Sequence, residues 1–94
     1  WFICTTPMDA GITEATRRET VTFPFNDVAA LERLFESHPG RIACLIMEAE
    51  RDVSPEPGYL KRVRELCTKH GTVLIFDEIV AGMRLHAGGG QALH

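Results

Sequence analysis

No apolar run in this sequence approaches the roughly 20 residues needed to cross a bilayer. The opening Trp1-Phe2-Ile3-Cys4 has no basic segment before it of the kind that begins a secretory leader. Cysteine is scarce and odd in number. Cys4, Cys44 and Cys67 show no CxxC spacing, and all three read as reduced thiols of a cytoplasmic protein, with Cys44 assigned to the core. Lys and Arg number 10 against 13 Asp and Glu and nowhere cluster, so the net charge of -3 argues against a nucleic-acid partner. His38, His70, His86 and His94 lack metal-ligand spacing and have no nucleophile beside them; they read as surface or helix-end residues. There is no internal repeat, linker or low-complexity tract. An initiator methionine is also missing, and the chain opens as though cut from inside a longer protein.

What is present is the composition of one small globular domain. Hydrophobic residues make up 45% of 94 positions, and charges of both signs are interspersed. A chain of this length buries only about 60–70% of its unfolded surface.

The sequence is organised around Val73-Leu74-Ile75-Phe76-Asp77-Glu78-Ile79-Val80-Ala81-Gly82-Met83-Arg84. Four apolar residues, three of them β-branched or aromatic, predict a strand buried on both faces, and two acids follow at once. A second run, Ile42-Ala43-Cys44-Leu45-Ile46-Met47, predicts another strand covered on both faces and also stops at an acid, Glu48.

Residues 1–20 read as an irregular lead-in, with one turn of helix possible over 14–19. The alternation Val21-Thr22-Phe23-Pro24-Phe25 predicts a short strand that Pro24 ends or places at an edge. Asn26 or Asp27 then caps a helix with Val28, Leu31, Leu34 and Phe35 on its apolar stripe, closed by Pro39-Gly40. A second helix runs over about 58–70 with Leu60, Val63, Leu66 and Cys67 inward, and Gly71 ends it. Gly88-Gly89-Gly90 opens a further helix at Gln91. Residues 21–94 therefore predict a βαβαβ unit with parallel strands, helices on both faces of the sheet, and Glu48 and Asp77 at one edge.

Parallel sheets place ligands beyond the carboxyl ends of their strands. Three readings stay open for the acids there. They cap a helix or pair locally, in a non-catalytic α/β module. Or they are the Walker-B-like acid strand of a P-loop ATPase, whose companion GxxxxGK[ST] is not in this sequence: Gly88-Gly89-Gly90-Gln91 lacks the following Lys and Ser/Thr. Or Asp77 meets a cation that this chain does not supply.

The third reading gains from a resemblance. Leu45-Ile46-Met47-Glu48, Gly58-Tyr59-Leu60, Arg64-Glu65-Leu66-Cys67, His70-Gly71, Phe76 to Arg84 and the tail Leu85 to Gln91 are together similar to the class III pyridoxal-phosphate-dependent aminotransferases, above all their glutamate-1-semialdehyde aminomutase-like branch. Weaker similarity reaches back through Phe25-Asn26-Asp27 to Trp1-Phe2-Ile3, so nearly all of the chain takes part.

The resemblance implies that residues 1–94 belong to the large domain of a fold-type I enzyme, a partial three-layer αβα parallel sheet. It implies pyridoxal phosphate as cofactor, a small amino or oxo substrate, a homodimer, and amino-group transfer through a substrate–cofactor imine. Asp77 would hold the pyridine nitrogen protonated, Ile79 would pack on one face of the ring, and Glu48 would support the site by hydrogen bonding. The Schiff-base lysine would lie downstream of residue 94, and a phosphate-binding loop and ring-stacking aromatic upstream of Trp1. Lys61 and Lys69 lie on a solvated helix face, so neither substitutes, and the segment alone is expected to be inactive.

The sequence also departs from the family pattern. Ala49 stands where proline is usual, Val80 where many members carry a glutamine, and Met83 where phenylalanine is commoner.

Overall fold

The computed structural model describes residues 9–94. A short helix α1, Glu14–Arg18, starts at Thr13, whose side chain accepts a hydrogen bond from the Thr16 amide. It buries nothing. Helix α2, Val28–Ser37, begins at Asp27, whose Oδ1 accepts from the Ala30 amide at 2.8 Å. The neighbouring candidate, Asn26, has a different task. At φ 64 it turns the chain, donates from Nδ2 to the Ser54 carbonyl at 3.1 Å and accepts from the Glu56 amide at 2.9 Å. It thereby ties the entry of α2 to the loop that precedes the next helix.

Asp27 satisfies one of the amides left unbonded at a helix start. Asp27→Ala should therefore cost about 1 kcal/mol and Asp27→Ser much less. Urea midpoints of the two variants check this, and equal midpoints would remove the capping role.

Strand β1, Cys44–Glu48, leads through helix α3, Tyr59–His70, to strand β2, Val73–Asp77. The strands pair in parallel, Cys44 opposite Val73 and onward to Glu48 opposite Asp77. Gly71, at φ 68, closes α3 in the left-handed conformation that glycine adopts without penalty. Thr72, buried, donates from its hydroxyl to the Ile42 carbonyl at 2.7 Å and aligns the start of β2 with β1.

Side chains alternate across a strand. Leu45 and Met47, with Leu74 and Phe76, turn to the core that holds Leu31 and Phe35 of α2 and Tyr59, Leu60, Val63, Leu66 and Cys67 of α3. Arg62 links the two helices through Glu32 at 2.6 Å. The other sheet face carries Cys44, Ile46, Val73 and Ile75, and all four are exposed.

Four expectations are corrected by this arrangement. The strands are covered on one face, because α2 and α3 both pack on that side and the described residues supply no second helical layer. Cys44 consequently lies exposed, whereas Cys67 is fully buried. Residues 21–25 form no strand: Phe23 and Phe25 pack against the helical core instead, Phe25 edge-on to Tyr59 at 5.1 Å, and among the described residues β1 and β2 pair only with each other. The glycine run opens only a 3-10 helix, Gly90–Leu93. What remains is an α/β unit built on a two-stranded parallel sheet. Among the described residues no helix is long and apolar enough to cross a membrane. The readings of Cys4 and of Trp1-Phe2-Ile3 fall outside the described residues.

Candidate functional site

The carboxyl edge of the sheet sets two acids side by side. Register pairs Glu48 with Asp77, and neighbouring strands lie about 4.8 Å apart. Like charges so placed repel unless a cation intervenes. Glu48 has one within reach: Arg51 Nε lies 4.0 Å from Glu48 Oε1 and 3.9 Å from Asp52 Oδ1, with the guanidinium 5.9 Å from the centre of the Phe25 ring. Asp77 has none among the described residues. Its one hydrogen bond comes from the Ile79 amide to Oδ1 at 3.0 Å. A half-buried carboxylate beside another, with no cation of its own, is an arrangement that a positive ligand relieves.

The turn after β2 is tight. The Gly82 amide donates to the Glu78 carbonyl at 2.8 Å, and a Cβ on Gly82 would come within 2.6 Å of that oxygen. Only Ala81 of this turn is buried. Ile79 is 90% exposed, so it is no core isoleucine, and Met83 is exposed at φ 60. Val80, exposed, offers no hydrogen bond from its side chain.

Glu78 turns away from the rim. Its Oε2 accepts from the Gly90 amide at 2.8 Å and its Oε1 from the Gln91 amide at 3.0 Å. The local capping reading therefore holds for this acid. Those two amides, Gln91 foremost, pull its pKa below the usual carboxylate value. Beside it, Glu50 accepts from the Ser54 hydroxyl and from His94 Nε2, each at 2.6 Å, and Ser54 and then His94 lower its pKa in the same way. Sequence reasoning offered a local cap for Glu78 but not its partners, and it missed Glu50; the run Gly88-Gly89-Gly90 was the one signal of a close backbone approach.

Both groups have folded-state pKa values below their unfolded ones. Their stabilisation is complete above the unfolded value and is lost as pH falls through the lowered one. Hydrogen exchange at Gly90 and Gln91, corrected for intrinsic rates, should be independent of pH near neutrality and accelerate only in that acid window. Acceleration around pH 7 would contradict it.

Lys61 and Lys69 are exposed on α3, as the pattern implied. His70, at the end of α3, stacks on Phe35 at 4.4 Å. Among the described residues no group of three His, Cys, Asp or Glu could hold a metal ion.

The described residues form an α/β unit whose parallel strands end in two neighbouring acids, at the edge where open parallel sheets place their ligand crevices. The particular family follows from comparison. The class-III aminotransferase family model matches residues 4–92, and the chain belongs to that family. It is 46% identical over 91 residues to a glutamate-1-semialdehyde 2,1-aminomutase from Opitutus terrae, covering 93% of this chain and 21% of that protein. It is 42% identical to proteins of the same name from Tropheryma whipplei, over 93% of this chain and 20% of that one, and from Myxococcus xanthus, over 94% and 21%. The chain thus spans about a fifth of the length of these relatives. Neither the P-loop ATPase nor the non-catalytic module gains support.

Proposed function

We propose that residues 1–94 are part of the pyridoxal-phosphate-binding large domain of a homodimeric, cytoplasmic enzyme that moves an amino group on a small amino or oxo substrate. The names of the relatives favour an aminomutase, which shifts the group within one substrate, over a transaminase.

The observation that carries this reading is Asp77, a strand-end carboxylate with one amide on Oδ1 and no cation among the described residues. The residues present fit the cofactor. Asp77 would face its pyridine nitrogen, Ile79 would offer an exposed apolar side chain to its ring, and Glu48, held by Arg51, would support the rim. When bound, pyridoxal phosphate supplies an electron-accepting ring, provided its nitrogen stays protonated.

Asp77 would keep the proton there by charge. At about 4 Å and an effective dielectric near 20 the attraction is about 4 kcal/mol, roughly three orders of magnitude in proton affinity before desolvation is subtracted. Ile79, exposed here, would shield that contact from water once the ring is bound. Val80 would offer the cofactor's phenolic oxygen no side-chain partner. No lysine of the chain stands at the rim, so 94 residues alone are expected to be inert.

The test is a titration of the longer protein, carrying the downstream lysine, with pyridoxal phosphate. A saturable absorbance band that Asp77→Asn weakens or shifts is the expected result. A folded protein with no band, or a band indifferent to Asp77, overturns the proposal.

A further inference from the structure

The segment 79–90 leaves the sheet beside Asp77 and closes back on Glu78. Its own hydrogen bonds are short-range: Gly82 to Glu78, Arg84 to Ala81, Gly89 to the His86 carbonyl and Gly88 to His86 Nδ1. Apolar burial holds it only at Ala81, since Ile79, Val80, Met83 and Leu85 are 90%, 63%, 87% and 53% exposed. Two described hydrogen bonds close it end to end, and in both the Glu78 carboxylate accepts from consecutive amides, those of Gly90 and Gln91.

The backbone is shaped for that contact. Gly89 sits at φ 83, and a Cβ there would lie 2.6 Å from Glu78 Oε1. A Cβ on Gly90 would lie 3.0 Å from Glu50 Cβ and 3.4 Å from Ala81 Cβ. Two glycines in succession let the chain approach a carboxylate that any side chain would push away. The same turn carries the Ile79 amide that orients Asp77.

We propose that Glu78 is a positioning residue: its carboxylate latches the 79–90 loop shut and so holds the turn that aims Asp77. The inference rests on the reading of Asp77 as the cofactor's anionic partner. Two oxygens match two amides. Glutamine keeps one acceptor and turns an NH2 donor toward the second amide, and aspartate is a methylene too short to span both.

The test uses the longer protein that contains this chain, as Glu78→Gln, Glu78→Asp and Asp77→Asn. Two readouts are taken: amide exchange without cofactor, and the pH titration of bound pyridoxal phosphate absorbance. Glu78→Gln should speed exchange at Ile79, Gly90 and Gln91 by about tenfold while leaving α3 protected. It should also move the absorbance titration in the direction that Asp77→Asn moves it, by a smaller amount, with Glu78→Asp between wild type and Glu78→Gln. Unchanged exchange at Ile79 overturns the latch. Faster exchange with an unmoved titration overturns the positioning role while leaving the reading of Asp77 intact. If Asp77→Asn itself leaves the titration unmoved, that reading falls and takes this inference with it.

Discussion

Asp77→Asn is expected to cut turnover of the longer enzyme by about a thousandfold at saturating cofactor, with the fold intact. The figure follows from the proposed attraction between carboxylate and ring nitrogen, about 4 kcal/mol, being lost. The change is nearly isosteric, and the side-chain oxygen can still accept from the Ile79 amide as Asp77 Oδ1 does at 3.0 Å. It also removes the repulsion with Glu48, its in-register neighbour, so stability should hold or rise slightly. Loss of activity without loss of stability is the signature of a charge kept for a ligand rather than for the fold. Asp77→Glu retains the charge but moves it by a methylene, and should recover part of the rate. The measurement is kcat with cofactor occupancy followed separately. A kcat within tenfold of wild type at full occupancy would end the electrostatic account.

Phe35→Ala should have the largest effect on stability, about 3–5 kcal/mol. Phe35 is 2% exposed and lies in the seam between α2 and α3. Its ring stacks on His70 at 4.4 Å with an 11° tilt, so truncation leaves both a cavity and an imidazole without its cover. In a unit of this size that loss rivals the whole folding free energy. The urea midpoint and yield of soluble protein report it. Phe23→Ala, at a half-buried position packed on the same core, should cost clearly less. Equal losses would mean that the α2–α3 seam is not the centre of stability.

The helices were legible because each carries its own signals. Asp27 before an apolar stripe, and Gly71 after one, mark boundaries by local chemistry, and the structure places caps at both. The paired strands were legible from four apolar residues stopped by an acid, and their register then brought Glu48 and Asp77 together. The rest depended on contacts distant in sequence. Residues 21–25 have a strand-like alternation, yet Phe23 and Phe25 pack on the helical core, Phe25 against Tyr59 of α3. A doubly apolar run says that a strand expects two neighbours, not which of them are at hand, so the exposed side of Cys44 and Ile46 was misjudged. Asn26 reaching Ser54 and Glu56, and Glu78 reaching Gly90 and Gln91, are bonds between loops 12 to 30 residues apart. Periodicity carries no trace of these, and a glycine pair hints only that something comes close.

The sheet surface formed by Cys44, Ile46, Val73 and Ile75 has a practical corollary. Made as a separate polypeptide, the described residues would show water an oily plate flanked by strand rims that none of them pairs, the pattern that drives clumping. Solubility of the isolated piece would then hinge on a detergent or a fused shield over that plate, and Cys44, at one end of it, would be an exposed thiol through which trapped aggregates cross-link in air.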